Sequence, residues 1–211
     1  MSDGLNKLFM NQKSNFLREN VLSVMGMRPE AIQPAHNDHV CNFDLQHRTT
    51  PTGARVVELM PYAHRTKTVT WKSNHVTGYW LRWRSEATVE MVLDSAADYF
   101  FTSELGGCQV VAAALGNGQV RVGHIAGNKG RAFRTAEAQR FPALRRQLSS
   151  SHAYGTNPAY QPDNSDVAWA NVIGFREKPA FGTQRWTLWY QIVENHGEGL
   201  LRISGVGQLY P

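Results

Sequence analysis

The sequence has little charge, few cysteines and no long apolar run. Only 18% of its 211 residues are charged, against about 25% in typical soluble domains. Two cysteines, Cys41 and Cys108, are too few for a disulfide framework. No apolar stretch approaches the length of about 20 residues that crosses a bilayer, and residues 1–20 mix charged and amide side chains with apolar ones. We therefore expect free thiols, no membrane span and no conventional signal peptide.

The chain has enough apolar residues for a core, and its positive charge is concentrated in one segment. Hydrophobic residues make up 42% of the sequence, which excludes wholesale disorder, and a chain of this length favours one domain. The net charge is +5, of which residues 119–150 alone carry +6 while the remainder carries −1. This basic segment is a candidate docking surface for an acidic partner, and a solvated helix face is the simpler alternative.

Hydrophobic periodicity predicts an N-terminal helix followed mainly by strands. Apolar residues recur at helical spacing through residues 1–26, and a second helical region is predicted at 135–150. Short alternating runs predict strands at 40–45, 54–60, 67–72, 79–84, 88–93, 110–115, 120–125, 168–175, 185–194 and 200–207. The expected fold is α+β, with a mixed or mostly antiparallel, sandwich-like sheet packed by a few helices. We expect a single catalytic domain over residues 1–211.

The stretch 97–126 carries the candidate chemistry. Cys108 follows a Gly-Gly turn and precedes an apolar run, and such a turn can hold a thiol rigidly with free backbone N–H groups around it. A nucleophilic cysteine also needs a base, because the thiolate is the reactive species. Gly116-Asn117-Gly118 predicts a hairpin, and its second strand carries His124.

The geometry of that hairpin decides whether Cys108 and His124 can meet. A three-residue loop pairs Leu115 with Gln119 and Val110 with His124, which makes Cys108 the diagonal neighbour of His124 on one sheet face. A two-residue loop would place His124 on the opposite face. The residues alone therefore permit a Cys–His dyad without requiring it, since a free cysteine is more often inert packing.

Three short motifs follow one another in this stretch. They are Phe100-Phe101-Thr102, Leu105-Gly106-Gly107-Cys108 and His124-Ile125. In this respect residues 97–126 resemble the catalytic core of the toxin glutamine deamidases, the family of the cytotoxic necrotizing factor catalytic domain and Burkholderia lethal factor. The chemotaxis receptor deamidase is a more distant relative. The family has Ser where this chain has Gly106, and its Cys-to-His spacing is shorter.

The resemblance implies a thiol mechanism that converts a target-protein glutamine to glutamate and releases ammonia. It makes Cys108 the nucleophile, His124 the base and Thr102 the residue that orients the imidazole. Gly106 and Gly107 would support the turn that holds the oxyanion. The resemblance implies no metal and no cofactor.

The resemblance also implies a role as a bacterial toxin or effector. Its partner would be a host regulatory protein, such as a small GTPase or a translation or signalling factor, with no membrane partner. The lack of a conventional leader suits delivery into a host cytosol by another machine, the alternative being the bacterial cytoplasm. The candidate docking residues are Arg121, Arg131, Arg134, Arg145 and Arg146.

Other interpretations stay open at this point. The same dyad would suit a cysteine protease or a transglutaminase, and a non-catalytic binding module, with nucleic acid as one ligand class, remains an alternative. The sequence carries no helix-turn-helix, zinc-finger or RNP-like signature, so we do not expect a nucleic-acid partner. The cluster His36, Asp38, His39 and Cys41 matches no zinc template. The aromatic residues Trp71, Tyr79, Trp80 and Trp83 are more typical of core or cross-strand pairs than of a stacking platform.

Overall fold

The fold was analysed in a computed structural model, which describes residues 2–24, 40–61, 75–105, 108–141, 167–179 and 181–210. Within these ranges the helices are α1 Ser2–Asn11, α2 Lys13–Glu19 and α3 Gly130–Gln139, the last preceded by a 3₁₀ turn, Gly127–Lys129. The strands in the same ranges are β1 Leu22–Ser23, β2 Val40–Thr49, β3 Arg55–Pro61, β4 Val76–Leu81, β5 Thr88–Leu93, β6 Tyr99–Thr102, β7 Gln109–Gly116, β8 Gln119–Ile125, β9 Val167–Glu177, β10 Arg185–Asn195 and β11 Leu201–Tyr210. The fold class is α+β, as predicted.

The described strands form a large mixed sheet and a small antiparallel one. The large sheet has the order β1-β3-β2-β4-β6-β9-β10-β11, and the small sheet has the order β5-β8-β7. In the large sheet β1 pairs with β3 and β4 pairs with β6 in parallel, while the other described pairs are antiparallel. Strand β6 therefore lies between β4 and β9, near the middle of the large sheet.

The large sheet is buried on both faces because its central strands are apolar on both sides. Consecutive residues of β6 show this directly: Phe101 packs in a cluster with Phe9 and Phe16 of the N-terminal helices, whereas Phe100 packs in a second cluster with Val110 and Val122 of the small sheet. Side chains alternate between the faces of a strand, so the two clusters lie on opposite sides of the large sheet. The next residue on the Phe100 face is Thr102.

A buried glutamine ties the N-terminal segment to the large sheet. The Gln191 side chain in β10 is fully buried, and its Nε2 donates to the carbonyls of Leu17 at 2.6 Å and Asn20 at 2.8 Å. Its Oε1 accepts the backbone N–H of Leu22 at 2.9 Å. These bonds satisfy backbone groups just where α2 ends and the chain turns into β1, which explains why a polar residue occupies this core position.

Most strand predictions agree with the structure, but the strand predicted at 79–84 is shifted: β4 spans Val76–Leu81, and residues 82–84 belong to the loop before β5. The N-terminal prediction also needs correction. The predicted strand at 88–93 coincides with β5, and the predictions at 54–60 and 185–194 each lie within one residue of the observed bounds. The segment predicted as one helix over 1–26 instead contains two helices, which are broken at Gln12, and the short strand β1. Residues 67–72 lie outside the described residues.

The predicted helix at 135–150 begins earlier than expected. Helix α3 starts at Gly130, directly after the 3₁₀ turn that follows β8, and ends at Gln139. The part of the prediction beyond residue 141 lies outside the described residues.

The β7–β8 turn was also predicted incorrectly, yet the predicted register is confirmed. Gly116, not Leu115, pairs with Gln119, so the turn has only two residues, Asn117 and Gly118. Both have positive φ, 50° and 74°, as hairpin turns of this length require. A bulge at Leu115 shifts the register back, so Val110 still pairs with His124.

We expect Gln191→Met to destabilise the protein by about 2–4 kcal/mol. The methionine keeps the length of the side chain but leaves buried backbone groups of the N-terminal segment without partners. Chemical denaturation measures the free energy of unfolding, and Gln139→Met on the exposed surface of α3 is the matched control. A Gln191→Met loss no larger than that of the control would show that these hydrogen bonds contribute little.

Candidate active site between the two sheets

A buried hydrogen bond joins the large sheet to the small one. The Thr102 side chain at the end of β6 and the His124 side chain in β8 are each only 1% exposed. The Oγ1 atom of Thr102 lies 2.7 Å from Nδ1 of His124 and 2.8 Å from the carbonyl oxygen of Leu81. Leu81 is the parallel partner of Thr102 in β4. The pairing of β4 with β6 therefore holds the threonine hydroxyl in place beside His124.

These two contacts determine the tautomer of His124. A carbonyl oxygen only accepts hydrogen bonds, so the single hydroxyl proton of Thr102 is donated to Leu81. The hydroxyl oxygen must then accept a proton from Nδ1 of His124. In a neutral imidazole this leaves Nε2 as the unprotonated nitrogen. Nε2 is buried and has no hydrogen-bond partner within the described part of the chain.

Cys108 lies at the N-terminal end of the hairpin strand that pairs with the strand of His124. It immediately precedes β7, two residues before Val110, which pairs directly with His124. The Cys108 side chain is 8% exposed and belongs to the core cluster that includes Val110. Because Nε2 of His124 is unpartnered among the described residues, the thiol does not bond to it here. The structure thus places Thr102 in contact with His124. Cys108 lies two residues before Val110, the residue that pairs with His124.

Polar groups from three other elements surround the Cys108 thiol. The backbone N–H of Gly127 and the indole N–H of Trp83 lie close enough to the thiol to interact with it, and the positive charge of Arg134 lies nearby. The Nη1 atom of Arg134 donates to the carbonyl of Gly127 at 3.2 Å. All three groups lower the pKa of the thiol, but burial has the larger effect, so the net pKa of Cys108 is raised.

Burial has the opposite consequence for the base. Desolvation lowers the pKa of His124 from 6.5 to about 4, because a charged imidazolium is unfavourable between the two sheets. At neutral pH the site therefore contains a neutral thiol and a neutral imidazole rather than a thiolate–imidazolium pair. The thiol becomes reactive only when its proton is transferred to the free nitrogen of His124.

The remaining predicted site residues have varied positions. Gly106, Gly107, Arg145 and Arg146 lie outside the described residues, as does the side chain of Arg131 in α3. Arg134, another candidate docking residue, lies near Cys108, where its guanidinium donates a hydrogen bond to the carbonyl of Gly127.

Arg121 lies on the face of the small sheet that is turned away from the large sheet, and it contacts Phe141 and Arg140 there. Its guanidinium lies 4.6 Å from the centre of the Phe141 ring, and its Nη2 donates to the carbonyl of Arg140 at 3.0 Å. Arg121 and His124 are three residues apart on β8, so their side chains lie on opposite faces. This arginine stabilises the outer face of the small sheet, away from the candidate site.

Comparison with known proteins adds no family to these observations. No protein-family model matches the sequence, and no curated protein matches it significantly.

Among the residues that the structure describes, no group of histidine, cysteine, aspartate and glutamate side chains is arranged to hold a metal ion. None of the helices in those ranges is both long and apolar enough to cross a membrane.

Two residues near the site were not singled out as site residues by the sequence analysis. Trp83 was interpreted as a core or cross-strand residue, which is wrong: it lies in the loop after β4, its side chain is 41% exposed, and it lies close to Cys108. Glu104 accepts hydrogen bonds from Ser23 Oγ at 3.1 Å and from the N–H of Val24 at 3.0 Å. It thereby joins the N-terminal segment to the chain that leads to Cys108. Burial raises the pKa of this carboxyl group.

The aromatic and cysteine alternatives are also clarified by the structure. Tyr79 and Trp80 are buried on opposite faces of β4, which agrees with their interpretation as core residues. Cys41 is partly buried and packs against the core cluster that contains Phe9 and Phe16. Trp71, His36, Asp38 and His39 lie outside the described residues.

We expect the free energy of unfolding to fall as the pH is lowered from 6.5 towards 4, partly because of His124. An unfolded histidine binds a proton near pH 6.5, while the folded His124 stays neutral until about pH 4. The unfolded state therefore binds more protons in this window, and acid favours unfolding by up to about 3 kcal/mol from this group. Chemical denaturation at several pH values checks this expectation.

The variant His124→Gln should remove that part of the pH dependence, and His47→Gln, at an exposed position of β2, should retain it. Identical pH profiles for the wild type and His124→Gln would mean that the folded imidazole titrates normally, contrary to its burial.

Proposed function

We propose that this chain is a thiol-dependent protein-glutamine deamidase, with Cys108 as the nucleophile, His124 as the base and Thr102 as the orienting residue. The observation that carries the proposal is the hydrogen-bond arrangement around His124. Thr102 donates a hydrogen bond to the carbonyl of Leu81 and accepts one from the Nδ1–H of His124, so the buried Nε2 is left free to take a proton. A general base needs this tautomer.

The chemistry starts when a glutamine side chain enters beside the thiol. His124 Nε2 takes the thiol proton, and the sulfur of Cys108 attacks the carboxamide carbon to form a tetrahedral oxyanion. The protonated His124 returns its proton to the departing nitrogen, which leaves as ammonia, and a thioester remains. Water, deprotonated by His124, hydrolyses the thioester to glutamate and restores the thiol.

The neutral resting state supports a mechanism in which substrate binding precedes activation. Burial raises the pKa of Cys108 and lowers that of His124, so proton transfer between them is unfavourable in the free protein. The N–H donors of Gly127 and Trp83 face the sulfur and would stabilise negative charge as it develops there. Such a site would react slowly with small thiol reagents and faster with a bound amide.

For the biological setting we propose a bacterial toxin or effector that modifies a regulatory protein of a host cell. A small GTPase or a translation or signalling factor would be the target. The chain would be delivered into the host cytosol by a separate machine, and no cofactor takes part in the reaction as written. The basis for this setting is the resemblance of residues 97–126 to toxin deamidases.

The first test is ammonia release from a eukaryotic lysate, with peptides followed by mass spectrometry. We expect the wild type to convert glutamine to glutamate in one protein, with a gain of about 1 Da that Cys108→Ala abolishes. Cys41→Ala, which removes the other thiol, is the matched control and should retain activity.

Other products would select a different enzyme class. A new cross-link to an amine would indicate a transglutaminase, and a new chain terminus would indicate a protease. If no product depends on Cys108, the thiol is structural and the deamidase proposal is wrong.

We expect Thr102→Val to lower kcat roughly 100-fold and to change KM much less. The valine keeps the shape of the side chain but removes the oxygen that accepts the Nδ1 proton, so the imidazole loses its defined tautomer. Thr102→Ser restores the hydroxyl and should recover most of the rate. If Thr102→Ser were as impaired as Thr102→Val while both variants remain folded, the hydroxyl would not be the group that matters.

A further inference from the structure

We propose that the β4–β5 loop, residues 82–87, is the substrate-recognition rim of the candidate site, and that it selects a glutamine within an acidic polypeptide segment. This inference deepens the proposed function and rests on it. It assigns the specificity to a loop that lies outside the basic segment 119–150.

The loop begins at the site itself. Residue 82 follows Leu81, whose carbonyl accepts the Thr102 hydroxyl. Trp83 is 41% exposed, and its indole N–H lies close enough to the Cys108 thiol to favour the thiolate form. A side chain that contacts the nucleophile at one end and solvent at the other forms part of the entrance to that nucleophile.

The loop is held at both ends by specific hydrogen bonds. The backbone N–H of Trp83 donates to Ser103 Oγ at 2.9 Å, directly after β6. Asn128 Nδ2 donates to Ser85 Oγ at 2.9 Å, and Asn128 Oδ1 accepts the N–H of Glu86 at 3.1 Å. A preorganised loop loses little conformational entropy when it binds a ligand, which favours a role in recognition.

The loop carries two arginines that form no ion pair with another described residue. Arg82 and Arg84 are exposed, and no ion pair within the described ranges includes either of them. Arg140, by contrast, pairs with Glu90 at 2.9 Å. Glu86 is the acidic residue of the loop, and it already has a contact within the protein. Positive charge on both sides of Trp83 therefore faces solvent.

The chemistry of this rim suits an acidic polypeptide. Guanidinium groups bind carboxylates with directed hydrogen bonds, and an exposed indole packs well against aliphatic stems such as that of glutamine. The thiol beneath the rim acts on a carboxamide in the proposed reaction, and a polypeptide supplies such a group in its glutamine side chains. We therefore favour a protein segment over a nucleic acid as the ligand.

The test uses binding and activity on the same full-length chain. A fluorescein-labelled peptide with a central glutamine flanked by glutamates is compared, by fluorescence polarisation, with one flanked by glutamines. The binding measurements use Cys108→Ser, so that no turnover occurs. Ammonia release by the wild type with both peptides is measured separately.

We expect the acidic peptide to bind more tightly, with a preference that weakens as salt is raised. Replacing both arginines, as Arg82→Gln with Arg84→Gln, should weaken its binding about three- to tenfold and leave the neutral peptide almost unaffected. Arg202→Gln, at an exposed position on the far edge strand β11, is the matched control and should bind like the parent. Thermal unfolding establishes that each variant is folded.

The outcomes separate this inference from the proposed function. Charge-dependent binding without ammonia release would support the rim and count against deamidation. Ammonia release with equal binding of both peptides, or a double variant that behaves like Arg202→Gln, would overturn the rim. Displacement of the acidic peptide by a single-stranded RNA oligonucleotide that binds more tightly would replace the polypeptide by a nucleic acid as its ligand.

Discussion

The buried hydrogen bond between Thr102 and His124 is the contact on which the rest of the site depends. It crosses the apolar layer between the two sheets, where an unsatisfied polar group is costly. Two independent pairings place its partners: β6 beside β4 fixes the hydroxyl against Leu81, and β8 beside β7 fixes the imidazole opposite Val110. The hydrogen bond consequently aligns the sheets with each other, and the same alignment positions the thiol.

Much of this arrangement could be predicted from local patterns in the sequence. The strand β5 and the existence of the β7–β8 hairpin follow from apolar alternation and the Gly-Asn-Gly turn signal. The pairing of Val110 with His124 was predicted from a three-residue turn, and it is preserved because a two-residue turn is combined with a bulge at Leu115. Those patterns depend on neighbours in the chain, so one sequence suffices to read them. The proximity of Cys108 to the strand that carries His124 follows from the same register.

Other features depend on contacts between distant segments and could not be predicted in this way. Strand β4 lies parallel to β6 only because of the path of the intervening chain through the small sheet, and this pairing is what brings Trp83 to Cys108. The break at Gln12, whose backbone is not helical, is invisible in the local periodicity, which continues through it. The role of Gln191 depends on a segment about 170 residues away, as its bond to Leu17 shows. For β4 and Gln191 tertiary packing overrides the local signal.

The bulge at Leu115 has a consequence for how this hairpin can change in length. Side chains on paired strands alternate in register, so each single-residue insertion reverses which of Gly123 and His124 points towards the large sheet. A two-residue turn with one bulge gives the rest of the hairpin the same residue pairing as a three-residue turn without a bulge. For this reason His124 keeps its orientation. Lengthening is therefore compatible with the site only in pairs of residues, or singly with a second bulge. Such a hairpin can therefore lengthen two residues at a time. The number of residues between the cysteine and the histidine then changes while their positions relative to each other are kept.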